Sequence, residues 1–499
     1  MSKSVPALRI DAKNDRPIRA RGEFVLYWMI ASRRTSWNFA LDRAVELGRQ
    51  HEKPVLVLEA LRCGHRWNSA RFHRFALDGM RANRDACAAA GVAYYPYVEP
   101  EAGAGSGLLE ALAERAVAIV TDDYPCFFLP RMVESAARRV SVRIEAVDAN
   151  GLLPMRACDV TQPTAYAFRR FLQKNLRPHL AEQPHASPLG LAAKLGGAVD
   201  LPATISKRWP RASDALIDGD DHLLAALPVD LTVPVAPKTG GSVAATLSLR
   251  EFVRHKLPRY AEERSEPSQD VASGFSPWLH FGHLSVHAVL AEVARLENWT
   301  PESTAQTTSG KKDGWWNLSP SSEAFLDELV TWRELGFNFC SRVANYDRYE
   351  SLPAWARKTL DEHATDPREH HYSLEEFARS ETHDPLWNAA QRQLVREGRI
   401  HNYLRMLWGK KILEWTPNPR AALDVLIELN NRFALDGRDP NSYSGIFWTL
   451  GRYDRPWGPV RPIFGTIRYM TSANTARKMD VKPYLARYGA TPARTLFTP

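Results

Sequence analysis

Glu328 and Trp332 stand four apart in FLDELVTWREL, a spacing that puts both side chains on one helical face. A carboxylate beside an indole makes a clamp: the acid accepts hydrogen bonds and the ring stacks on a planar group. Glu323 and Glu334 fall on other faces. A plainer alternative stays open on spacing alone, with Glu328 in an ion pair and Trp332 in a core. A second set is the tryptophans of the following segments. Trp408 and Trp415 are seven apart in YLRMLWGKKILEW and share nearly one stripe, with Trp387 ahead of them in HDPLWNAAQ. Three indoles in a row can step an electron or hole between a buried cofactor and solvent; a hydrophobic stripe explains the same spacing. Tyr403 and Met406 lie close by, and the pair Lys410 and Lys411 faces either a phosphate backbone or water.

LNNRFALDGRDPNSYSGIFW gathers Asn430, Asp436, Asp439 and Asn441 ahead of Trp448. Carboxylates accept N–H groups and amides both donate and accept, so such a turn can hold the polar edge of a ring system. Ordinary turn chemistry draws on the same residue types. Upstream, VASGFSPWLHFGHLS runs from a loop into a helix with Pro277 near its start. Ser273, Gly274 and Ser276 can offer hydroxyls and backbone N–H groups to a phosphate, with Tyr260 as a cap on the same site. His280, His283 and His287 have a hint of metal spacing, but no second ligand cluster accompanies them, and no metal site is expected.

The elements that must position these residues fall into two kinds. FVLYWMI (24–30), VLVLEAL, VAYYPYV, AIVTDDY and VSVRIEAVD read as strands, separated by helical segments up to about 155; NSARFHRFALDGMRANRDACAAAG should close at Gly91. Alternation of this kind predicts an open parallel sheet with helices on both faces. No GxGxxG follows the first strand, and GAGSG at 103–107 reads as a flexible loop. Residues 1–22 are polar and basic and read as a loose arm. Residues 156–244, rich in Pro and Gly, read as a connector draped over a domain surface, although YAFRRFLQKNLRPHLAEQP has helical character. From 245 onward the pattern is helical, with segments at 245–263, 277–295, 321–340, 351–362, 385–416 and 419–433.

Composition narrows the function. The chain has 499 residues, enough for two domains with cores of their own. Lys and Arg number 65 against 57 acids, an excess that permits a polyanionic partner without requiring one. The 15 tryptophans exceed what packing alone needs and suit base stacking, a large planar ligand or electron transfer. Five scattered cysteines without metal spacing point to buried thiols in a reducing compartment. With no apolar leader and no apolar stretch of about 20 residues, the expectation is a soluble, cytoplasmic protein.

FSPWLHFGHLS, KKDGWW, FLDELVTWREL with GFNFC, HDPLWNAAQ, YLRMLWGKKILEWT, ALDVLIELNNRFALDGRDPNSYSGIFW and RPIFGTIRYM resemble, in order and over most of 245–480, the class II cyclobutane pyrimidine dimer photolyases of the cryptochrome/photolyase family. YWM, VTDD and VDANGLLPM carry a looser likeness at the N-terminal end. The resemblance implies a Rossmann-like α/β antenna-type domain with a parallel sheet (22–155), an interdomain connector (156–244) and an all-α FAD-binding catalytic domain (245–490). It implies light-driven repair of pyrimidine dimers in double-stranded DNA: excited reduced FAD gives an electron to a dimer flipped out of the duplex, and the electron returns after the ring splits. A monomer without membrane association is expected.

Site residues follow from the same resemblance. Glu328 matches the acid that hydrogen-bonds the dimer, Trp332 and Trp448 the aromatic walls around its bases, and Met406 the thioether touching it. Asn430 matches the asparagine facing the reactive flavin nitrogen, and Asp436 and Asp439 the turn lining the flavin. Tyr260 with Ser273, Gly274, Phe275 and Ser276 matches the diphosphate grip; Trp387, Trp408 and Trp415 match the photoreduction relay. Lys410, Lys411, Arg452, Arg455 and Arg461 are candidate DNA contacts. The sequence departs from the family pattern at IASRR after YWM and at YPCFFLP after VTDD, where an antenna pocket forms, so the antenna chromophore (deazaflavin or other) stays open. The turn from Trp448 to Asp454 is one residue short of the family's form. The rivals are a cryptochrome-like photoreceptor, which does not need a complete dimer cradle, and repair of the (6-4) photoproduct, which wants a histidine over the lesion that the cradle segments lack.

Overall fold

The computed structural model describes residues 4–490. The chain divides into two units. The first holds the chain up to Ala261 together with Ser273–Ala344 and Arg438–Asn441; the second holds Glu262–Ala272, Asn345–Gly437 and the chain from Ser442 onward. The border expected at 245 therefore falls inside the first unit.

The first unit is built on a six-stranded sheet: β1 (Ile10–Ala12), β2 (Phe24–Met29), β3 (Val55–Leu61), β4 (Ala93–Val98), β5 (Ala116–Asp122) and β6 (Ile144–Val147), in the order β1-β6-β5-β2-β3-β4. All neighbours run parallel except β1, which pairs antiparallel with β6. Helices α1 (Phe39–His51), α2 (Ala70–Ala90), α3 (Leu108–Ala113) and α4 (Leu129–Arg139) make the crossovers. Every residue of β2 is buried, because a central parallel strand is covered on both faces, and this is why FVLYWM lacks polar alternation. Asn38 caps α1 through bonds from Ala40 N at 2.9 Å and Leu41 N at 3.3 Å. Gly91, with φ of 67°, ends α2 in the left-handed conformation.

Three sequence expectations need correction. The segment read as a loose arm supplies β1 and a short 3₁₀ turn, Ala7–Arg9. Arg9 is fully buried; its guanidinium donates to the carbonyls of Asp148, Gly151 and Leu152 at 3.2, 3.2 and 2.7 Å. Nor is the 103–107 loop loose: Glu99 Oε1 accepts the backbone N–H groups of Gly103 and Gly105 at 3.0 and 3.2 Å, so the glycine-rich turn wraps a carboxylate of its own chain. The connector contains a helix, α5 (Ala165–Asn175), and several short ones. Its Leu216, Ile217 and Leu224 pack with Leu77 and Met80 of α2 into a small core, which makes it part of the unit.

In the second unit the expected long helix 385–416 is two helices, Pro385–Glu397 and Asn402–Trp415. Gly398, at φ of 69°, breaks them. Pro419–Phe433 and Pro440–Thr449 follow. Among the described residues no helix is long and apolar enough to cross a membrane.

Candidate functional site

Glu328 and Trp332 lie on a π-helical turn, Asp327–Trp332, inserted between α-helices Pro320–Leu326 and Arg333–Arg342. From Phe325 to Cys340 every residue is buried except these two, which keep partial access to solvent. The turn is held from both sides. Asp327 takes a two-pronged bond from Arg169 of α5, Nε to Oδ1 at 2.7 Å and Nη2 to Oδ2 at 2.9 Å. Glu334 accepts the backbone N–H groups of Leu152 and Leu153 at 2.7 and 3.1 Å, and Arg333 donates to the Asn150 carbonyl at 2.7 Å. Burial pushes the Glu334 carboxyl up to about 7 against the pull of those N–H groups. A π turn clamped at each end by charge-assisted bonds is a rigid mount for the acid–indole pair. Glu334 itself is thereby structural.

The loop before Ser276–His280 has Gly274 at φ of 63°; a Cβ there would lie 3.6 Å from Lys238 Nζ. Ser273, Gly274 and Ser276 are half-buried, while Phe275 is buried against Phe252 with centroids 5.1 Å apart. Tyr260 packs edge-on to Phe325 at 5.6 Å. This gives a polar loop with a cation beside it, backed by aromatic packing. Asp439 accepts from the Tyr124 hydroxyl at 2.9 Å and lies 3.3 Å from His280 Nδ1.

The first unit also contains a cavity of about 530 Å³ at the carboxyl ends of β2 and β5, where strand order reverses and open α/β sheets usually bind ligands. Ile30, Ala31 and Arg33 of IASRR line it, as do Tyr124, Phe127 and Phe128 of YPCFFLP. A phosphate cradle is absent there for a visible reason. Asp122 Oδ2 accepts the N–H groups of Ile30, Ala31 and Ser32 at 2.8, 2.7 and 2.9 Å, so the chain's own carboxylate takes the anion position. Phe127 stacks on Trp67 with centroids 6.0 Å apart, and both residues have positive φ, 63° and 64°, which is strained for bulky side chains. Arg438 lies over Phe72 at 3.8 Å. Burial lowers His65 to about 4 and His73 to about 3, so both wall histidines are neutral at pH 7.

The second unit brings Trp387, Trp408 and Trp415 together. Trp387 stands between the other two: its ring is stacked on Trp408, centroids 6.5 Å apart at an interplanar angle of 5°, and meets Trp415 edge-on at 5.9 Å. All three are buried. Trp387 Nε1 donates to the Trp408 carbonyl at 3.0 Å, and Trp408 Nε1 to Gln391 Oε1 at 2.9 Å. Spacing did not show that order, because Trp387 comes from a separate helix. Gln391 Nε2 is buried with no hydrogen-bond partner among the described residues, a donor that a bound polar group can satisfy. Buried Asn430 donates to Ser442 Oγ at 2.7 Å, and Asp436 pairs with Arg405 at 2.9 and 3.2 Å.

Met406 and Trp448 are both partly exposed, and Lys410 Nζ lies 5.3 Å from the Trp448 ring centre. Lys410 is fully buried, donating to the Thr449 carbonyl at 2.5 Å, and burial lowers its pKa to about 7. It therefore cannot be the phosphate contact expected of it: its helix turns it inward beneath Trp448. Lys411 and Arg452 are buried as well, Lys411 on Glu414 at 2.6 Å and Arg452 on the Ser351 carbonyl. Arg455 is exposed, as is Arg461. Sequence reasoning missed Trp457, an exposed indole with Arg455 at 4.8 Å and Arg468 at 5.1 Å from its ring centre. Its setting among PWGP and arginines was the available signal. It also missed Arg405 and Gln391, which no spacing rule marks.

No family model matches the sequence. The chain is 34% identical over 484 residues to a deoxyribodipyrimidine photo-lyase of Methanothermobacter thermautotrophicus, covering 97% of this chain and 98% of that protein. It is 33% identical over 479 residues to a deoxyribodipyrimidine photo-lyase of Oryza sativa, covering 93% and 87%. Among solved structures, a bacterial class III photolyase from Agrobacterium tumefaciens superposes with a TM-score of 0.65 at 18% identity, over 94% of this chain and 86% of that one. At that identity the likeness speaks to fold.

Proposed function

The chain belongs to the deoxyribodipyrimidine photo-lyase family, and from that premise we propose that it repairs cyclobutane pyrimidine dimers in double-stranded DNA by light-driven electron transfer. The observation that carries the reading is the buried series Trp408–Trp387–Trp415, with neighbouring centroids 6.5 and 5.9 Å apart. A wire of indoles through a helical core suits a redox group at one end, beyond the packing it also provides. FAD, when bound, supplies a one-electron donor that light makes strongly reducing.

The residues here fit that group in type. The Ser273–Ser276 loop with Lys238 beside Gly274 offers hydroxyls, N–H groups and a cation suited to a diphosphate. Asn430, Asp436 and Asp439 offer amide and carboxylate oxygens to a flavin edge and its ribityl chain, and Tyr260 backs the diphosphate loop. Gln391 Nε2 offers an unsatisfied donor. Glu328 accepts hydrogen bonds from a flipped dimer, and stacking on Trp332 and Trp448 contributes about 1–3 kcal/mol per base. Met406 gives a soft apolar contact. Arg455, with Trp457 beside it, offers an exposed cation and ring of the kind a phosphate backbone and an unpaired base would take, and such phosphate contacts make affinity salt-dependent.

The cavity at the ends of β2 and β5 is read as the seat of a second planar chromophore. Its aromatic walls suit a ring system, and the Asp122 carboxylate disfavours a phosphate at the loop after β2.

The test is an absorbance spectrum of the purified protein, followed by illumination with dimer-containing DNA. A flavin spectrum and reversion of the dimers under blue light are expected; a colourless protein that cannot be reconstituted with FAD would falsify the reading.

A further inference from the structure

The tryptophan series ends at a tyrosine and a histidine. Tyr372 meets Trp415 edge-on, centroids 5.6 Å apart, and its hydroxyl lies 2.7 Å from His383 Nδ1. The hydroxyl oxygen also accepts the His383 backbone N–H at 3.0 Å, which aims the O–H at the imidazole. The His383 ring is itself 5.0 Å from Trp415. Tyr372 is half-buried and His383 exposed, so the series meets solvent here.

Acid–base character changes along the series. The N–H groups of Trp408 and Trp387 donate to amide oxygens, those of Gln391 and of the Trp408 peptide. Such oxygens accept a hydrogen bond but do not take a proton near neutral pH. A hole on either indole therefore stays a protonated cation radical, free to move on. At the Trp415 end stands an imidazole, the side chain whose basicity suits that pH range. An oxidised phenol is a strong acid, so a base on its hydroxyl makes tyrosine oxidation favourable.

We propose that Tyr372 is the terminal electron donor of the series and that His383 takes its phenolic proton. The inference rests on the flavin reading above, since the hole begins when an electron leaves Trp408 for light-excited flavin. The step balances. One electron passes from Tyr372 to the hole on Trp415; the O–H proton moves to His383 Nδ1. The products are neutral Trp415, a neutral tyrosyl radical and an imidazolium. Moving the proton away from the hole slows return of the electron.

The groups facing His383 are His370, stacked at 3.8 Å, Tyr372, and the charges of Asp384, Lys411 and Glu369. Burial first, and then His370, lower the His383 pKa, which keeps the ring neutral at pH 7.

The experiment illuminates the oxidised flavoprotein without added thiol and identifies the radical by electron paramagnetic resonance and transient absorbance across pH. A tyrosyl radical is expected, with its yield falling as pH drops through the His383 titration, because an imidazolium cannot take a second proton. In Tyr372→Phe the signal should be replaced by a tryptophanyl radical, and photoreduced flavin should reoxidise faster. His383→Gln keeps a hydrogen-bond acceptor but removes the base, so tyrosyl yield should fall at every pH. A tyrosyl signal that survives Tyr372→Phe, an unchanged yield in His383→Gln, or a parent radical that is tryptophanyl at all pH values each overturns the proposal. Bound flavin that yields no radical at all instead breaks the relay reading, and the exit falls with it.

Discussion

Two regions of this molecule are rich in aromatic rings, and they use them in opposite ways. Around the cavity in the first unit, Phe72, Phe127 and Phe128 stand as walls about open space, each faced by an arginine, Arg438 for the first two and Arg62 for the third. In the second unit Trp387, Trp408 and Trp415 touch one another and leave no space. Walls about open space suit a planar guest; rings in contact suit the passage of an electron. A surplus of tryptophan and phenylalanine therefore indicates no single chemistry until the arrangement is known.

The sharpest way to break the contrast is at the wire. Trp408→Phe should reduce photoreduction of oxidised flavin to background while repair by chemically pre-reduced flavin continues; equal loss of both would show that Trp408 holds the cofactor instead of conducting. Next is the clamp. Glu328→Gln should keep flavin but lower repair yield by about tenfold, the equivalent of about 1.4 kcal/mol in the barrier, and an unchanged yield would remove the acid from the mechanism.

A third test concerns the lysine beneath Trp448. Lys410 titrates near 7 in the folded protein because burial disfavours the ammonium. Its unfolded value is near 10.4. Between those values the unfolded chain binds the extra proton, so this group makes stability rise with pH, by about 5 kcal/mol across the window. Denaturant titrations of Lys410→Met should lack that rise; the same slope in both proteins would mean that Lys410 is solvated. The smallest effect belongs to the walls. Ala31→Trp should fill part of the cavity, leaving flavin-excited repair intact and removing any second chromophore's contribution to the action spectrum. Loss of repair itself would join the cavity to the chemistry and erase the contrast.

Much of this was legible in the sequence, in a graded way. The sheet was, because buried parallel strands are continuous apolar runs and FVLYWM, VLVLEAL and AIVTD need no partner to be recognised. The placing of Glu328 and Trp332 on one helical segment was, since helical spacing is local. The central place of Trp387 was not: Gly398 breaks the helix and tertiary packing carries Trp387 between two residues it does not neighbour in sequence. Lys410 was misread for a related reason. A lysine beside another lysine looks solvated, and only the packing of the Pro440–Thr449 helix turns this one inward. The first residues looked like an arm because β1 is short and polar; what fixes it is Arg9 bonded to carbonyls some 140 positions away.

The π turn under Glu328 has a consequence for how this segment can vary. One residue more than an α-helix needs is stored between Leu326 and Arg333. Deleting a single residue there would restore regular winding and change the phase of the preceding Pro320–Leu326 stretch by about 100° against the one after it. Asp327 and Arg333 could not then both reach Arg169 and the Asn150 carbonyl. The acid–indole face thus tolerates substitution far better than any change of length.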